Sequence, residues 1–275
     1  MTDDQSKIVD VVIVSYNSSS VITSALSSLP VWANVIVVDN ASSDDIANTV
    51  AKFPARLISL DRNYGFGTAC NRGAGNGTAP YILFLNPDAV IEPEALRHLI
   101  EQMEAHDDWG AISPKILASD GKEFFRTRSF FEPALGVPKK PEGAGEVYVL
   151  SGSVFLMRRS LFEELGGFDE QIFLFMEDDE LFHRIRLSGR KLISDRRVSA
   201  LHLHGQSSTS SLKLECFKAF EAERSRLYIV KKYSIPYQVD KEIRKTKLRL
   251  MRACLLFDLK RVAQNWGRLQ ALKGE

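Results

Sequence analysis

Ile8-Val9-Asp10-Val11-Val12-Ile13-Val14 is an apolar, β-branched run stopped by Ser15-Tyr16-Asn17, and it decides the fold. A short run with almost no polar alternation predicts a strand covered on both faces, as in a parallel sheet. Working outward, the pattern recurs. Val21, Ile22, Ala25, Leu26 and Leu29 fall at helical spacing, and Pro30 ends that helix. Residues 35–38 predict a second strand that runs into Asp39-Asn40-Ala41-Ser42-Ser43, and Asp44-Asp45 supply acids for the first turn of a helix reaching Phe53. Residues 56–60 predict a third strand, and a glycine-rich, partly helical region follows from Asn63 to Gly77. A fourth strand, 81–85, closes on Asn86-Pro87-Asp88, and Pro93 opens a helix to Glu104. This alternation predicts an α/β, doubly wound, mostly parallel sheet flanked by helices, with ligands at the carboxyl ends of its strands.

After Ala111 the alternation fades. Residues 119–146, rich in Gly, Pro and charge, predict a long loop or lid. Residues 147–157 are strand-like around Ser151-Gly152-Ser153, 161–165 predict a short helix ended by Gly166-Gly167, and 178–187 predict a helix with Leu181, Phe182 and Ile185 inward. A short strand is expected at 198–203, and helix from Leu212 onward, interrupted at Pro236. The expected organisation is an α/β body over 1–210, with halves 1–110 and 111–210, and a helical tail over 211–275.

Composition bounds the function. The 275 residues are 44% hydrophobic and 26% charged, ordinary for a globular chain. Cys70, Cys216 and Cys254 are scattered and form no metal or redox motif, which fits a reducing compartment. The polar start has no secretory pattern, and no stretch reaches the length of a spanning helix, so a cytoplasmic location is expected. The net charge of +1 hides an asymmetry: residues 211–275 carry 16 Lys/Arg against 7 Asp/Glu, and the rest carries 20 against 28. An acidic body with a basic tail points the tail toward phosphates or an anionic membrane, although a solvated helical face has the same composition. Basic residues confined to one end argue against nucleic acid as a partner.

Polar residues cluster after each predicted strand: Ser15-Tyr16-Asn17, Asp39-Asn40, Asn63, and Asn86 with Asp88. In an open α/β sheet these turns converge on one crevice. An Asp ending the second strand commonly bonds a base or ribose. The first turn holds no glycine, and Gly65-Phe66-Gly67 lacks the third glycine of the dinucleotide fingerprint, so NAD is disfavoured; a phosphate-binding Walker loop is absent as well.

Taken in order, eight motifs resemble the inverting family-2 glycosyltransferases, which have the GT-A fold. They are Val-Ser-Tyr-Asn (14–17), Val-Val-Asp-Asn-Ala-Ser-Ser-Asp (37–44), Asn-Tyr-Gly-Phe-Gly-Thr-Ala-Cys-Asn-Arg-Gly (63–73), Phe-Leu-Asn-Pro-Asp (84–88), Leu-Ser-Gly-Ser-Val-Phe-Leu-Met-Arg-Arg (150–159), Gly-Gly-Phe-Asp-Glu (166–170), Glu-Asp-Asp-Glu-Leu (177–181) and His-Leu-His-Gly-Gln-Ser (202–207). The Asn-Pro-Asp form and the 63–73 motif look like the rhamnosyltransferase branch, which uses dTDP-L-rhamnose. Galactofuranosyl and N-acetylhexosaminyl transferases share much of the pattern.

The resemblance implies a hexosyltransferase that is metal-dependent and inverting. Its donor is a dTDP- or UDP-linked sugar and its cation Mg²⁺ or Mn²⁺. Its acceptor is a hydroxyl of a cell-envelope polysaccharide or lipid-linked glycan precursor. A departing sugar nucleotide carries growing charge on its diphosphate, which a divalent cation neutralises. Family members usually have Asp-x-Asp at the fourth-strand turn; here Asp88 is its one carboxylate, so a histidine is needed beside it. His202 and His204 sit on one face of a predicted strand. The implied donor-site residues are Ser15, Tyr16, Asn17, Asp39, Asn40, Asn63, Phe66, Gly67, Asn71, Asn86 and Asp88.

The acceptor hydroxyl needs a general base. The resemblance assigns Asp178, with Gly152, Ser153 and Glu177 shaping the acceptor side; a strand bulge explains Gly152 equally well. Helix-dipole physics alone accounts for Asp179 and Glu180. Arg126 and Arg128 fall in the predicted loop, from which they could reach an acceptor phosphate, but they are not counted in the site, since solvated loop arginines are commoner. In the tail, apolar Leu248, Leu250, Met251, Leu255 and Leu256 alternate with Lys245, Lys247, Arg249 and Arg252. That suits a helix lying on an anionic bilayer at the inner face of the plasma membrane. Packing on the body or on a second subunit, as in a homodimer, explains it nearly as well. A rival from another class is a non-catalytic regulator that binds nucleotide sugar or membrane.

Overall fold

The computed structural model describes residues 8–126, 129–131, 139–203 and 211–274. The chain divides into two compact units: Met1–Asp169 with Asp178–Ser208, and Glu170–Glu177 with Thr209–Glu275. The first is a sheet wrapped by helices. It begins β1 (Val9–Ser15), α1 (Ile22–Ser28), β2 (Asn34–Asp39), α2 (Ile46–Val50), β3 (Ala55–Ser59), α3 (Phe66–Ala74) and β4 (Tyr81–Leu85). It continues with β5 (Ala89–Ile91), α4 (Pro93–Ala105), β6 (Trp109–Leu117), β7 (Glu123–Phe124), β8 (Ala144–Val147), β9 (Val154–Arg158), α5 (Arg159–Glu164), α6 (Glu177–Leu187) and β10 (Lys191–His202).

All seven residues of β1 are buried, as a strand covered on both faces requires. Its alternate side chains enter different cores. Val11 and Ile13 join Val35, Val37, Leu83 and Leu85 under α1 and α4, while Val12 and Val14 join Ile36, Val38, Ile82 and Phe84 under α3 and α6. Asp10, the polar residue in this run, is buried and held by Arg159 at 2.5 Å, Asn34 at 2.6 Å and the Ala79 N–H at 2.9 Å. Gly73 lets α3 approach closely: a Cβ there would lie 2.5 Å from the Val12 side chain and 3.0 Å from that of Val38.

The strand order is β3-β2-β1-β4-β9-β6-β10-β5. From β3 to β4 every pairing is parallel, the part that the sequence predicts. Past β4 the sheet is mixed. β9 runs antiparallel to β4 and β6, β6 and β10 run parallel, and β5, β7 and β8 add antiparallel edges.

Three expectations change here. β6 is a nine-residue strand where the sequence pattern fades. Pro114, which has no N–H for a ladder, pairs with Asp195 where β10 shifts register before Ser199. That irregularity also hides the first half of β10, which starts at Lys191 rather than Val198. Its charged stretch is held by partners distant in sequence, Asp195 by His98 and Arg196 by Glu123, while Arg197 closes back on Asp195 two residues away. The predicted loop 119–146 contains β7 and the first three residues of β8.

The second unit holds α7 (Leu212–Lys232), α8 (Val239–Leu255) and α9 (Leu259–Lys273). α7 ends before Pro236 as expected; a second break, at Phe257, has no proline or glycine to announce it. A Cβ on Gly267 would lie 2.0 Å from the Cys216 carbonyl oxygen, so α7 and α9 pack backbone to backbone there. Buried Glu223 receives Tyr237 Oη at 2.5 Å, and burial followed by that carboxylate pushes the Tyr237 phenol up to about 12. Among the described residues no helix is long and apolar enough to cross a membrane, and Cys70, Cys216 and Cys254 are free thiols.

Candidate active site

The turns after β1, β2 and β3 are tied to one another. The Asn40 N–H donates to the Ser15 carbonyl at 2.8 Å, and the Asn17 N–H to Ser42 Oγ at 2.9 Å. Asn17 Oδ1 accepts from the Ser43 N–H at 2.8 Å. Asn17 and Ala41 have φ of 54° and 63°, left-handed values that cost side-chain-bearing residues energy and cluster at functional turns. Asn40 donates to Asn63 Oδ1 at 2.9 Å and to the Gly65 carbonyl at 3.1 Å, and accepts the Tyr64 N–H at 2.9 Å. Asn40 and Asn63 thus brace the entry to α3, which places Phe66 and Gly67 in its first turn.

Asp39 accepts the Ser42 N–H through Oδ1 at 2.9 Å, and its Oδ2 makes no hydrogen bond among the described residues. Tyr16 is half exposed beside these turns, and Ser15 Oγ is buried with no partner among the described residues. Asn71 lies deeper in α3. Its amide donates to the Phe168 carbonyl at 2.9 Å and accepts the Phe168 N–H at 2.8 Å, so it holds the segment after α5.

A second group forms where β4, β9 and β10 end. The Asn86 N–H donates to the Ser153 carbonyl at 2.8 Å, and the Leu203 N–H to the Asp88 carbonyl at 3.0 Å. Buried Asp88 lies 3.1 Å through Oδ1 from His202 Nε2, which is also 3.3 Å from Asn86 Nδ2. Because the Asp88 carboxylate accepts and the Asn86 amide donates, Nε2 bonds Asp88 in the tautomer that carries its proton and Asn86 in the other. Ser151 and Ser153 hydroxyls pair at 2.7 Å. His204, with Gly205, Gln206 and Ser207, lies outside the described residues.

The third group surrounds α6. Phe84 packs against Phe155, Phe162 and Phe168 at 5.0, 5.3 and 5.2 Å between ring centres, and Phe182 of α6 packs on Phe155 at 5.0 Å. Leu181, Phe182 and Ile185 face inward as expected, and this aromatic cluster fixes the helix that carries Asp178. Asp178 Oδ1 accepts the Asp179 N–H at 2.9 Å. A Cβ on Gly152 would lie 2.5 Å from Asp178 Oδ2 and 3.0 Å from its Cβ and Cγ. Gly152 is therefore the floor on which Asp178 rests, and its neighbour Ser153 bonds the Asp88 turn.

Gly152→Ala is expected to displace the carboxylate. A shift of about 1 Å in a reacting group costs up to roughly 100-fold. Turnover should fall by about 10- to 100-fold while donor binding and the melting temperature hold, checked by steady-state kinetics beside a thermal melt.

The acidic run is not a bare cluster. Arg126 donates to Asp178 Oδ2 at 2.7 Å and to Asp179 Oδ2, and Arg184 clamps Glu180 at 2.6 Å. Burial works against the Arg126 charge, but Asp178 and Asp179 outweigh it and hold the guanidinium above the ordinary arginine range. Leaving Arg126 among solvated loop residues is corrected here: no local spacing reveals a partner 52 residues away. Arg128 lies outside the described residues. Glu177 is buried at the start of α6, directly after Phe175 and Met176, both left-handed with φ of 64° and 68°.

Arg126→Ala leaves two partly buried carboxylates without their cation, a change that costs about 3 kcal/mol. The melting temperature should drop by several degrees and turnover by about tenfold. Arg126→Lys should recover little, because one ammonium does not reproduce a planar fork. Differential scanning calorimetry of the three proteins checks this.

Residues 10–166 match glycosyl transferase family 2. The chain is 29% identical over 246 residues to the N-acetylglucosaminyl-diphospho-decaprenol L-rhamnosyltransferase of Mycobacterium tuberculosis, covering 76% of this chain and 78% of that one. In structure it is similar to S. aureus TarS 1–349 in complex with UDP-GlcNAc, with a TM-score of 0.59, 16% identity, and 97% and 90% of the two chains covered. It is similar also to GalNAc-T7 with UDP, GalNAc and Mn²⁺, with a TM-score of 0.56, 17% identity, and 71% and 43% covered. Since the family match spans more than half of the chain, the protein belongs to glycosyl transferase family 2 and is a glycosyltransferase with the GT-A fold.

Proposed function

We propose that the chain transfers L-rhamnose from dTDP-L-rhamnose, with inversion, to a hydroxyl of a lipid-linked or cell-envelope glycan precursor, on the cytoplasmic side of the membrane. The observation that carries this reading is the link through residues 152–153. One peptide unit away from the Asp178 contact, the Ser153 carbonyl bonds the turn that holds Asp88. A base and a diphosphate-side acid are thereby held on one rigid piece. The mycobacterial relative's name supports the sugar and the lipid-diphosphate acceptor.

A hard divalent cation fits Asp88 and His202. One carboxylate oxygen and one imidazole nitrogen, 3.1 Å apart and nearly buried, make a mixed oxygen–nitrogen pair that would suit Mn²⁺ better than Mg²⁺, which favours oxygen ligands. Among the described residues no group of three such side chains converges, so diphosphate oxygens and water would have to supply the remaining ligands. When bound, the cation neutralises charge on the departing diphosphate. Asp39 holds the base or ribose through Oδ2, and Tyr16, Asn17, Phe66 and Gly67 wall the nucleotide. Asp178 takes the acceptor's proton as the hydroxyl oxygen attacks the anomeric carbon. The bond to the diphosphate oxygen breaks on the opposite face, and the diphosphate leaves with the electron pair. Gly152 and Arg126 aim the carboxylate, while Ser153 and Glu177 shape the acceptor side.

A second reading keeps the chemistry and changes the sugar, an N-acetylhexosamine from UDP, as the TarS likeness suggests. Thermal shift with dTDP-L-rhamnose, UDP-GlcNAc and UDP-galactofuranose, each with and without Mn²⁺, separates them. A ligand at about 100 times its Kd stabilises by about 2.7 kcal/mol, which is a readable shift. The rhamnose reading requires the largest shift with the dTDP sugar and Mn²⁺. A larger one with a UDP sugar replaces it.

A further inference from the structure

α8 carries an apolar stripe that nothing in the described chain covers. Leu248, Met251 and Leu255, at i, i+3 and i+7, lie on one face of the helix and are all exposed. The stripe runs on around the corner into α9 through Leu256, Phe257 and Leu259, also exposed. Phe257 is the sharpest case. It directly follows the C-cap Leu256 of α8 with a φ of 53°, where helices usually place glycine, and it is 88% exposed. A large apolar residue at a strained position, reaching into solvent, is rewarded by nothing in the fold around it.

Cations flank the stripe. Exposed Arg244, Lys247, Arg249 and Arg252 lie along α8, and Lys260 and Arg261 follow the corner. Arg249 and Arg252 make no ion pair among the described residues. They help line a cavity of about 690 Å³ with Lys218, Arg261, Arg268 and Leu256. A basic concavity therefore opens beside the apolar corner.

We infer that α8 and the α8–α9 corner dock on an anionic lipid bilayer, with Leu255, Phe257 and Leu259 entering the headgroup boundary and Arg249 and Arg252 meeting lipid phosphates. An apolar face rimmed by cations has the chemistry of an interfacial helix. A second copy of the chain is the weaker occupant. A two-fold contact sets like residues near like, bringing this dense row of cations against itself with Asp240, Glu242 and Asp258 as the acids of the two helices. This inference stands apart from the identity of the sugar.

The test is co-sedimentation of the full chain with phosphatidylcholine vesicles and with vesicles containing roughly one third phosphatidylglycerol, at physiological salt. The chain should bind the anionic vesicles at least about tenfold more tightly. Leu255→Glu with Phe257→Asp, and separately Arg249→Glu with Arg252→Glu, should each lose about tenfold or more. Both pairs change exposed side chains; their transfer to a soluble acceptor and their thermal melts should match the parent. Phe257→Ser alone is the milder variant, expected to weaken binding without a change in melt. Equal binding to both vesicle types, or none to either, overturns the inference. So does a parent dimer, seen by light scattering, that the Leu255/Phe257 pair converts to monomer without any change in vesicle binding.

Discussion

Asp178→Asn is expected to lower turnover by about 1,000-fold while leaving the fold and donor binding in place. A positioned base contributes roughly 10² to 10⁴, and an amide of the same shape does not take the proton. The surroundings of Asp178 explain why the loss should be confined to chemistry. The side chain rests on Gly152, and Asn keeps that contact because it has the same size. Arg126 retains Asp179 and still meets an amide oxygen at position 178. Binding of the nucleotide diphosphate, proposed to fall to the Asp88 group, should be unchanged within about twofold. Single-turnover rates beside calorimetric donor binding check this. A folded variant with near-normal turnover would remove Asp178 from the role of base.

Asp88→Asn should be the next largest loss, about 100- to 1,000-fold in kcat/KM, with Mn²⁺ no longer strengthening nucleotide binding. The turn Asn86-Pro87-Asp88 has one carboxylate, so no neighbour in the turn takes over. Stabilisation of a departing diphosphate by a held cation is worth several kcal/mol, which corresponds to that range. The Asp88 carbonyl, which receives the Leu203 N–H, stays in place because it is backbone. Asn also still accepts from His202, so the melting temperature should move little. The distinguishing signature is the metal dependence. The parent should bind dTDP more tightly with Mn²⁺ than without it, and the variant equally in both. Titration calorimetry in the two conditions reads this directly.

Much of the fold was legible because its first half is written in local patterns. β4 is a continuous apolar run and β1 is one interrupted by Asp10, and strands buried on both faces look like that. Asp39, Asn40, Asn63 and Asp88 could be placed at strand ends for the same reason. What stayed hidden depends on pairing at a distance. β6 contains Pro114 and β10 contains Asp195-Arg196-Arg197, and both make sense only at the register shift they share. Gly152 could be taken for a bulge; its need to be glycine comes from Asp178, 26 residues on. Arg126 is the clearest example, a loop arginine by every local sign whose partners lie on α6. Asn71 shows the converse: a residue in a recognisable motif whose amide the structure uses to hold Phe168.

Transfer itself can be followed by proton NMR with dTDP-L-rhamnose, Mn²⁺ and a short-chain GlcNAc-diphospho-prenol acceptor. A rhamnosylated product of anomeric configuration opposite to the donor's is expected from the parent and not from Asp178→Asn. A product with retained configuration, or equal product from both proteins, would contradict inverting transfer with Asp178 as the base.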